Sequence, residues 1–169
     1  MMRWSIATIC LSGLLLWAGW QPETVPSALQ WTTVDGKTVR FSDLRDAKAV
    51  VFITLSTRCP AVPRYAPRLN QLYETYHKRG VVFYGIYPEA DETLDGVRTH
   101  ARQLGLKFPV VRQGAVSLAR ALGATHVPQA FVLNRKGEIV YGGAIDSVIK
   151  REVAQHHYLR DALNAVLQG

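Results

Sequence analysis

Hydrophobic and polar positions alternate along this chain in a pattern that predicts a series of strands. Apolar and polar side chains alternate on both sides of Asp35-Gly36, a dipeptide that favours a β-hairpin turn. The runs 49–55 and 81–87 are almost continuously apolar, which is typical of strands buried on both faces. The predicted strands are 29–34, 37–41, 49–55, 81–87, 108–111, 130–134 and 138–141.

Helical periodicity occupies most of the intervals between these strands. In the longest interval, aromatic and leucine side chains recur every three to four residues, and Gly80 supplies a stop signal. The predicted helices are 59–78, 93–104, 115–122 and 150–167. Strands that alternate with helices and close with a hairpin and a helix predict an α/β fold. We expect a central mixed β-sheet with helices on both faces and an N-terminal β-hairpin.

The N-terminus has the pattern of an export signal. Arg3 precedes an apolar run, 6–20, that contains no charged residue. About 15 residues suit a signal peptide better than a membrane span, which needs about 20. We therefore predict a signal peptide or N-terminal anchor at 1–20, a linker at 21–26 and one domain at 27–169. The domain is expected to be exported, either periplasmic or anchored on that side of the membrane, with membrane contact only through the N-terminal segment.

Composition and charge exclude several classes of function. The formal net charge is +7 and the pI about 9.7, yet the basic residues are scattered and no basic run is interleaved with aromatics, so no nucleic-acid binding is predicted. Cys10 lies in the apolar run, which leaves Cys59 as the domain's one thiol and excludes a disulfide-stapled scaffold. His156 and His157 are neighbours on a predicted helix and point about 100° apart. Neither a metal site nor a cofactor is predicted.

Cys59 is the main candidate for chemistry. It lies where a predicted strand ends and a predicted helix begins, in the segment 56–63. The N–H groups and dipole at a helix start favour a thiolate, and the neighbouring Arg58 adds positive charge. The acidic residues Glu89, Asp91 and Glu92 follow the next strand, where we expect them to favour the start of a helix through its dipole.

Four features of the chain, in the right order, carry a family resemblance. They are the hairpin turn 34–37 followed by 41–44, the strand leading into Cys59-Pro60, Pro67 in the first helix, and Val127-Pro128 followed by the strand from Phe131. With these features the chain resembles the thioredoxin-like superfamily, and within it the redoxin branch of TlpA-type and AhpC/TSA peroxiredoxin-like proteins. The resemblance implies structural roles for Pro60 and Pro67 and a thioredoxin-like fold.

The resemblance also implies a substrate groove. In the family the proline that matches Pro128 is cis and faces the active cysteine, and the backbone of the residue before it, here Val127, is open to pair with an extended peptide. His126 lies two residues before Pro128 and is a candidate to bind substrate or to assist the thiolate, and Arg64 is a candidate for substrate binding. Val62 occupies the position of the second cysteine of C-x-x-C, so an external thiol or a partner protein's thiol must resolve any mixed disulfide.

The peroxiredoxin pattern P-x-x-x-(T/S)-x-x-C is matched only in part. Ser56 occupies the hydroxyl position and is predicted to orient substrate, but Phe52 replaces the proline and Pro128 stands where the distant arginine is expected. Arg58 or Arg64 could take the place of that arginine. Three hypotheses about function stay open: peroxide reduction of the antioxidant type, mixed-disulfide exchange, and a non-catalytic binding or scaffold module that uses the groove at Pro128.

Overall fold

The computed structural model describes residues 23–147 and 156–169, and this part of the chain contains seven strands and four helices. In chain order they are β1 (Gln30–Thr33), β2 (Thr38–Arg40), β3 (Ala49–Thr54), α1 (Val62–Tyr76), β4 (Val81–Ile86), α2 (Leu94–Gln103), β5 (Val110–Gln113), α3 (Ala115–Ala121), β6 (Gln129–Asn134), β7 (Ile139–Gly143) and α4 (Tyr158–Gln168).

The seven strands form one mixed sheet in the order β2-β1-β5-β4-β3-β6-β7. The central β3 pairs in parallel with β4 and antiparallel with β6. We call the edge where Thr54 pairs with Gln129 the carboxyl edge, and the opposite edge, where Ala49 pairs with Asn134, the amino edge. Because β3 and β4 are parallel, the loops that follow both strands meet at the carboxyl edge.

Both faces of the sheet are buried, because successive side chains of β3 point to opposite faces. Ala49, Val51 and Ile53 join the core that packs against α1, α2 and α4. Val50 and Phe52 join a second core with α3 and the N-terminal hairpin. Helices therefore cover both faces of a mixed sheet, and the predicted fold class is confirmed.

The first long helix begins later than the sequence pattern predicts. Cys59 lies in a turn, with its N–H directed to the carbonyl oxygen of Ser56 at 3.4 Å, and α1 starts three residues later at Val62. Pro60 has no N–H and lies in that turn, while Pro63 occupies the first turn of α1, where a missing N–H costs nothing. Cys59 therefore precedes the helix instead of opening it.

The last helix also begins later than predicted. The residues 148–155, which include the predicted start, lie outside the described residues. His156 and His157 precede α4 instead of lying on it, because the N–H of Ser147 bonds the carbonyl of His156 and turns the chain there. Leu159 and Leu163 form the buried face of α4, as predicted.

Three residues of the predicted linker lie on the sheet. The N–H of Val25 bonds the carbonyl of Gly137, and the N–H of Ile139 bonds the carbonyl of Glu23. Thr24 and Glu138 form an antiparallel bridge, and Val25 is buried. The described chain thus enters the fold at the amino edge. Within the residues that the structure describes, no helix has the length and apolar character needed to cross a membrane.

Candidate functional site

Cys59 lies at the carboxyl edge of the sheet, beside the loop that precedes β6. We call this loop, residues 125–128, the proline loop. Its side chain is half-buried, and Sγ lies 3.6 Å from the carbonyl oxygen of Val127. The Val127–Pro128 peptide bond is cis. The structure therefore brings together the thiol and the proline loop, which are 68 residues apart in sequence.

Ser56 shapes the turn that presents the thiol. Its side chain is almost completely buried, its carbonyl accepts from the N–H of Cys59, and its Oγ accepts from the N–H of Arg58 at 3.1 Å. A serine hydroxyl that accepts from the residue two positions ahead is a common turn-forming arrangement. Its predicted role in orienting substrate stays a prediction.

The proline loop is fixed to β3 by a buried threonine. Thr54 Oγ1 donates to the carbonyl of His126 at 2.8 Å and accepts from the N–H of Gln129 at 2.8 Å. The side-chain oxygen of Gln129 accepts from the N–H of Thr125 at 3.0 Å. These bonds hold both ends of the loop that contains Val127.

Arg58 forms ion pairs with two carboxylates. Its guanidinium forms a two-pronged hydrogen bond with Asp91 and a second ion pair with Glu89, and 58% of its side chain is exposed. The hydrogen bond to Asp91 raises the pKa of Arg58 and lowers that of Asp91. The predicted cation beside the thiol is thus largely neutralised, and its support of the thiolate stays a prediction.

Glu92 anchors the same turn from the side of β4. Its side chain is 8% exposed, and Oε1 accepts from the backbone N–H of Thr57 at 2.6 Å and from Thr57 Oγ1 at 2.8 Å. Oε2 is buried and has no hydrogen-bond partner among residues 23–147 and 156–169. The guanidinium of Arg112 bonds the carbonyls of Ala90 and Glu92, which fixes the loop that carries this carboxylate.

The expectation that the three acidic residues favour a helix start is therefore corrected. Thr93 caps α2, its hydroxyl accepting from the N–H of Gly96, and Asp95 lies in the first turn. The acidic side chains after β4 instead reach across to the Cys59 turn, because parallel pairing puts the two loops side by side.

A tyrosine and a histidine hydrogen-bond to each other within the electrostatic range of Glu92. Tyr87 is fully buried, and its hydroxyl lies 3.0 Å from His100 Nδ1. Burial raises the pKa of Tyr87, with a further rise from the charge of Glu92. Burial lowers the pKa of His100, and Glu92 opposes this shift.

Two residues of this chain depart from the related cysteine motifs. Val62 takes the position of the second cysteine of C-x-x-C, and Phe52 takes the position of the proline in the peroxiredoxin pattern. Val62 is completely buried and packs in the same core that Cys59 borders. Phe52 points to the opposite face of the sheet, where it stacks with Tyr84 and meets Trp31 edge-on. Phe52 is therefore a core residue that lies away from the thiol.

The remaining predicted site residues lie around the turn and on α1. His126 is exposed, and its Nδ1 is 3.0 Å from the hydroxyl of Thr125, not from the thiol. Arg64 is exposed in the first turn of α1 and has no ion pair within the described part of the chain. Pro60 lies in the turn after Cys59, and Pro67 lies inside α1.

Sequence reasoning missed three residues that build this site. Thr54, Glu92 and Gln129 supply the bonds that hold the turn and the proline loop in place. A signal for Glu92 was present, since two consecutive buried strands that pair in parallel place their following loops together. Thr54 and Gln129 are polar residues at the ends of apolar strands, which is a weaker signal.

Comparison with known proteins agrees with this geometry. The family model described as AhpC/TSA family matches residues 23–142. The chain belongs to the AhpC/TSA family. The predicted resemblance to the thioredoxin-like superfamily and its redoxin branch is confirmed.

Individual relatives and solved structures are also similar to this chain. The thiol-disulfide oxidoreductase ResA of Bacillus thuringiensis is 30% identical over 109 residues, which cover 64% of this chain and 61% of that protein. The chain thus matches less than two thirds of that relative's length. A hypothetical protein of Sinorhizobium meliloti is 25% identical, with a TM-score of 0.77 over 89% of this chain and 86% of that one. A putative thiol:disulfide interchange protein DsbE from Chlorobium tepidum shares the fold, with a TM-score of 0.70 at 18% identity over 86% of this chain and 96% of that one.

Proposed function

We propose that this AhpC/TSA family protein carries out thiol redox chemistry through Cys59, by exchange with a disulfide of a partner molecule. The observation that carries the proposal is the 3.6 Å approach of Cys59 Sγ to the carbonyl of Val127, at the start of a cis X-Pro bond. Relatives named thiol-disulfide oxidoreductase support the same chemistry.

The proposed reaction has two balanced steps. The Cys59 thiolate attacks one sulfur of a disulfide, a new S–S bond forms, and the other sulfur leaves as a thiolate that takes a proton from solvent. An external thiolate then attacks the partner's sulfur in this mixed disulfide and releases Cys59. One sulfur of the partner's disulfide is released as a thiol, the other is joined to the external thiol in a new disulfide, and Cys59 returns as a thiolate, so this exchange does not require a cysteine in place of Val62.

Disulfide exchange is supported better than peroxide reduction. A peroxidatic site needs a cation and a hydroxyl directed at the thiolate, and here Arg58 is bound to Asp91 and Glu89. The Oγ of Ser56 is buried and accepts a turn hydrogen bond. An extended peptide, in contrast, can lie along the backbone at Val127, because the proline loop borders the thiol directly.

The sequence supports a proposed cellular location for this chemistry. The apolar run 6–20 supports export, with the domain on the periplasmic or extracellular side, where protein disulfides occur. Partner thiols and disulfides on that side are the proposed substrates.

The experiment compares two oxidants in the full chain carrying Cys10→Ser. Oxidised glutathione and hydrogen peroxide are applied separately at neutral pH, and intact mass reports addition of glutathione or of oxygen at Cys59. We expect glutathione to be added faster, relative to a free small-molecule thiol, than oxygen is.

Cys59→Ser is the matched control and should acquire neither group. If hydrogen peroxide, relative to its reaction with a free small-molecule thiol, oxidises Cys59 faster than oxidised glutathione does, the peroxidase hypothesis replaces the exchange hypothesis. If both rates equal those of a free thiol, the chain is a binding module that uses the groove at Pro128, and partner capture should then survive Cys59→Ser.

A further inference from the structure

The amino edge of the sheet carries a cluster of exposed basic side chains. We call it the basic pole, and its members are Arg45, Lys48, Lys78, Arg79, Arg135 and Lys136. All lie in the turns that precede β3 and β4 or that join β6 to β7. Because these strands share one sheet, the three turns meet at the same end of the molecule.

The basic pole is continuous. Arg135 and Lys136 line two neighbouring clefts, one of which is completed by Arg45 and the other by Lys48. Among the described residues, no acidic side chain lines either cleft. The N–H of Lys48 bonds the carbonyl of Gly80, which joins the turn carrying Lys78 and Arg79 to the same surface.

The basic pole carries an excess of positive charge. Within the described residues none of the six takes part in an ion pair. Four acidic side chains lie in the same region (Glu23, Asp43, Asp46 and Glu138), and the terminal carboxylate on Gly169 lines one of the clefts, so six cations face five carboxylates there. At the carboxyl edge, in contrast, Arg58 is paired with both Asp91 and Glu89.

The basic pole lies at the end of the molecule opposite the thiol. β3 runs from Ala49, at the amino edge, to Thr54, five residues before Cys59. Six residues of strand span about 20 Å. A surface that touches the basic pole therefore leaves the Cys59 turn and the proline loop facing away from it.

The described chain also enters the fold at this pole. Residues 23–25 pair with 137–139, directly after Arg135 and Lys136. Only two residues separate the uncharged apolar run 6–20 from the start of this pairing. A chain tethered to a membrane through that run would have its basic pole next to the lipid headgroups.

We propose that the basic pole docks on an anionic lipid surface and so orients the domain with Cys59 directed away from the membrane. Phosphate groups of the headgroups fit the two clefts beside Arg135 and Lys136, and Lys and Arg near an anionic leaflet are attracted to it within a Debye length. Docking at the pole opposite the thiol leaves the groove at Val127 open to partners, and it does not depend on the chemistry of Cys59.

The test is lysine footprinting of the full chain in lipid nanodiscs. Discs contain either equal parts of phosphatidylglycerol and phosphatidylcholine or phosphatidylcholine alone, and acetylation of each lysine is followed by mass spectrometry. We expect Lys48, Lys78 and Lys136 to react about five-fold more slowly in anionic discs, because headgroups cover them. Lys37 and Lys107, outside the basic pole, should react equally in both discs.

Charge reversal supplies the matched comparison. Arg45→Glu/Arg135→Glu should remove the protection while keeping all three reporter lysines, whereas Arg102→Glu/Arg120→Glu makes the same charge change at exposed sites on α2 and near the end of α3 and should keep it. Thermal unfolding confirms that both variants are folded. Equal footprints in the two lipids, equal protection of Lys37 and Lys107, loss of protection in both variants, or failure of the chain to remain with the discs would each overturn the proposal.

Discussion

Glu92 holds Thr57, and with it the turn that presents the thiol: one carboxylate oxygen, Oε1, accepts from the backbone N–H of Thr57 at 2.6 Å and from its hydroxyl at 2.8 Å. The two residues are 35 positions apart and meet because β3 and β4 pair in parallel. The shape of the reactive turn therefore depends on a residue in a different loop.

Replacing Glu92 should loosen this turn. We expect Glu92→Ala to lower the free energy of unfolding by about 1–3 kcal/mol, because two donors lose their acceptor. Glu92→Gln should lose less, since its amide oxygen can still accept both bonds. Urea unfolding of the two variants measures the difference. Glu74→Ala, which breaks an exposed pair with Lys107, is the control, and wild-type stability in Glu92→Ala would show that the bonds to Thr57 do not hold the turn.

Arg58 should contribute little to the reactivity of Cys59 while its two carboxylate partners are present. We expect Arg58→Ala to change the rate of Cys59 alkylation by less than about two-fold at moderate ionic strength, because exposed ion pairs are screened. Asp91→Asn should raise the rate, because it frees positive charge beside the turn. Iodoacetamide labelling in the Cys10→Ser chain measures both rates. A ten-fold loss on Arg58→Ala, as an order of magnitude, would restore Arg58 as the main support of the thiolate.

Thr54 should be more important than its small side chain suggests. Thr54→Val keeps the shape but removes the hydroxyl that bonds the carbonyl of His126 and the N–H of Gln129. Both groups then lose a hydrogen-bond partner, so we expect the free energy of unfolding to fall by about 1–3 kcal/mol. Thr75→Val is the matched control, because Thr75 is exposed on α1 and bonds only a carbonyl of its own helix. Equal stability losses in the two variants would contradict the anchoring role of Thr54.

His100 gives a pH dependence whose sign is fixed. Burial lowers its pKa below the ordinary value of 6.5, so the unfolded chain binds the proton more readily than the folded one. This contribution is complete above the ordinary pKa and is lost as the pH falls towards the lower folded value. Between pH 7.5 and 5.5, values chosen to bracket about 6.5, we expect the melting temperature of His100→Gln to fall less than that of the wild type. A wild-type dependence of the melting temperature on pH in His100→Gln would contradict this expectation.

The sequence pattern was sufficient for the order of elements and for the position of Cys59 at a sheet edge. A strand buried on both faces, such as β3, is a run of apolar residues whose successive side chains pack into opposite cores. It can be recognised from neighbouring residues in the sequence alone. The start of α1 was predicted three residues early, because the side chain and carbonyl of Ser56 stabilise a turn that hydrophobic periodicity does not detect.

The partners of polar side chains were harder to predict. Arg58 is adjacent to Cys59 in sequence, which suggested support of the thiol, yet its guanidinium bonds Asp91, 33 residues away. Such pairings depend on which strands are neighbours in the sheet and on side-chain direction. Neither is encoded in residue spacing alone, so the polar environment of Cys59 required the structure.

The central claim is that the fold makes Cys59 reactive towards disulfides. Its most direct test is the rate of mixed-disulfide formation with oxidised glutathione in the folded Cys10→Ser chain, divided by the rate in the same chain unfolded by urea, at one neutral pH. We expect a ratio of about ten or more, since the turn and the proline loop position the thiol and its thiolate is the attacking species. A ratio of about one or less would contradict the claim, because the folded environment would then give the thiol no advantage over an exposed chain.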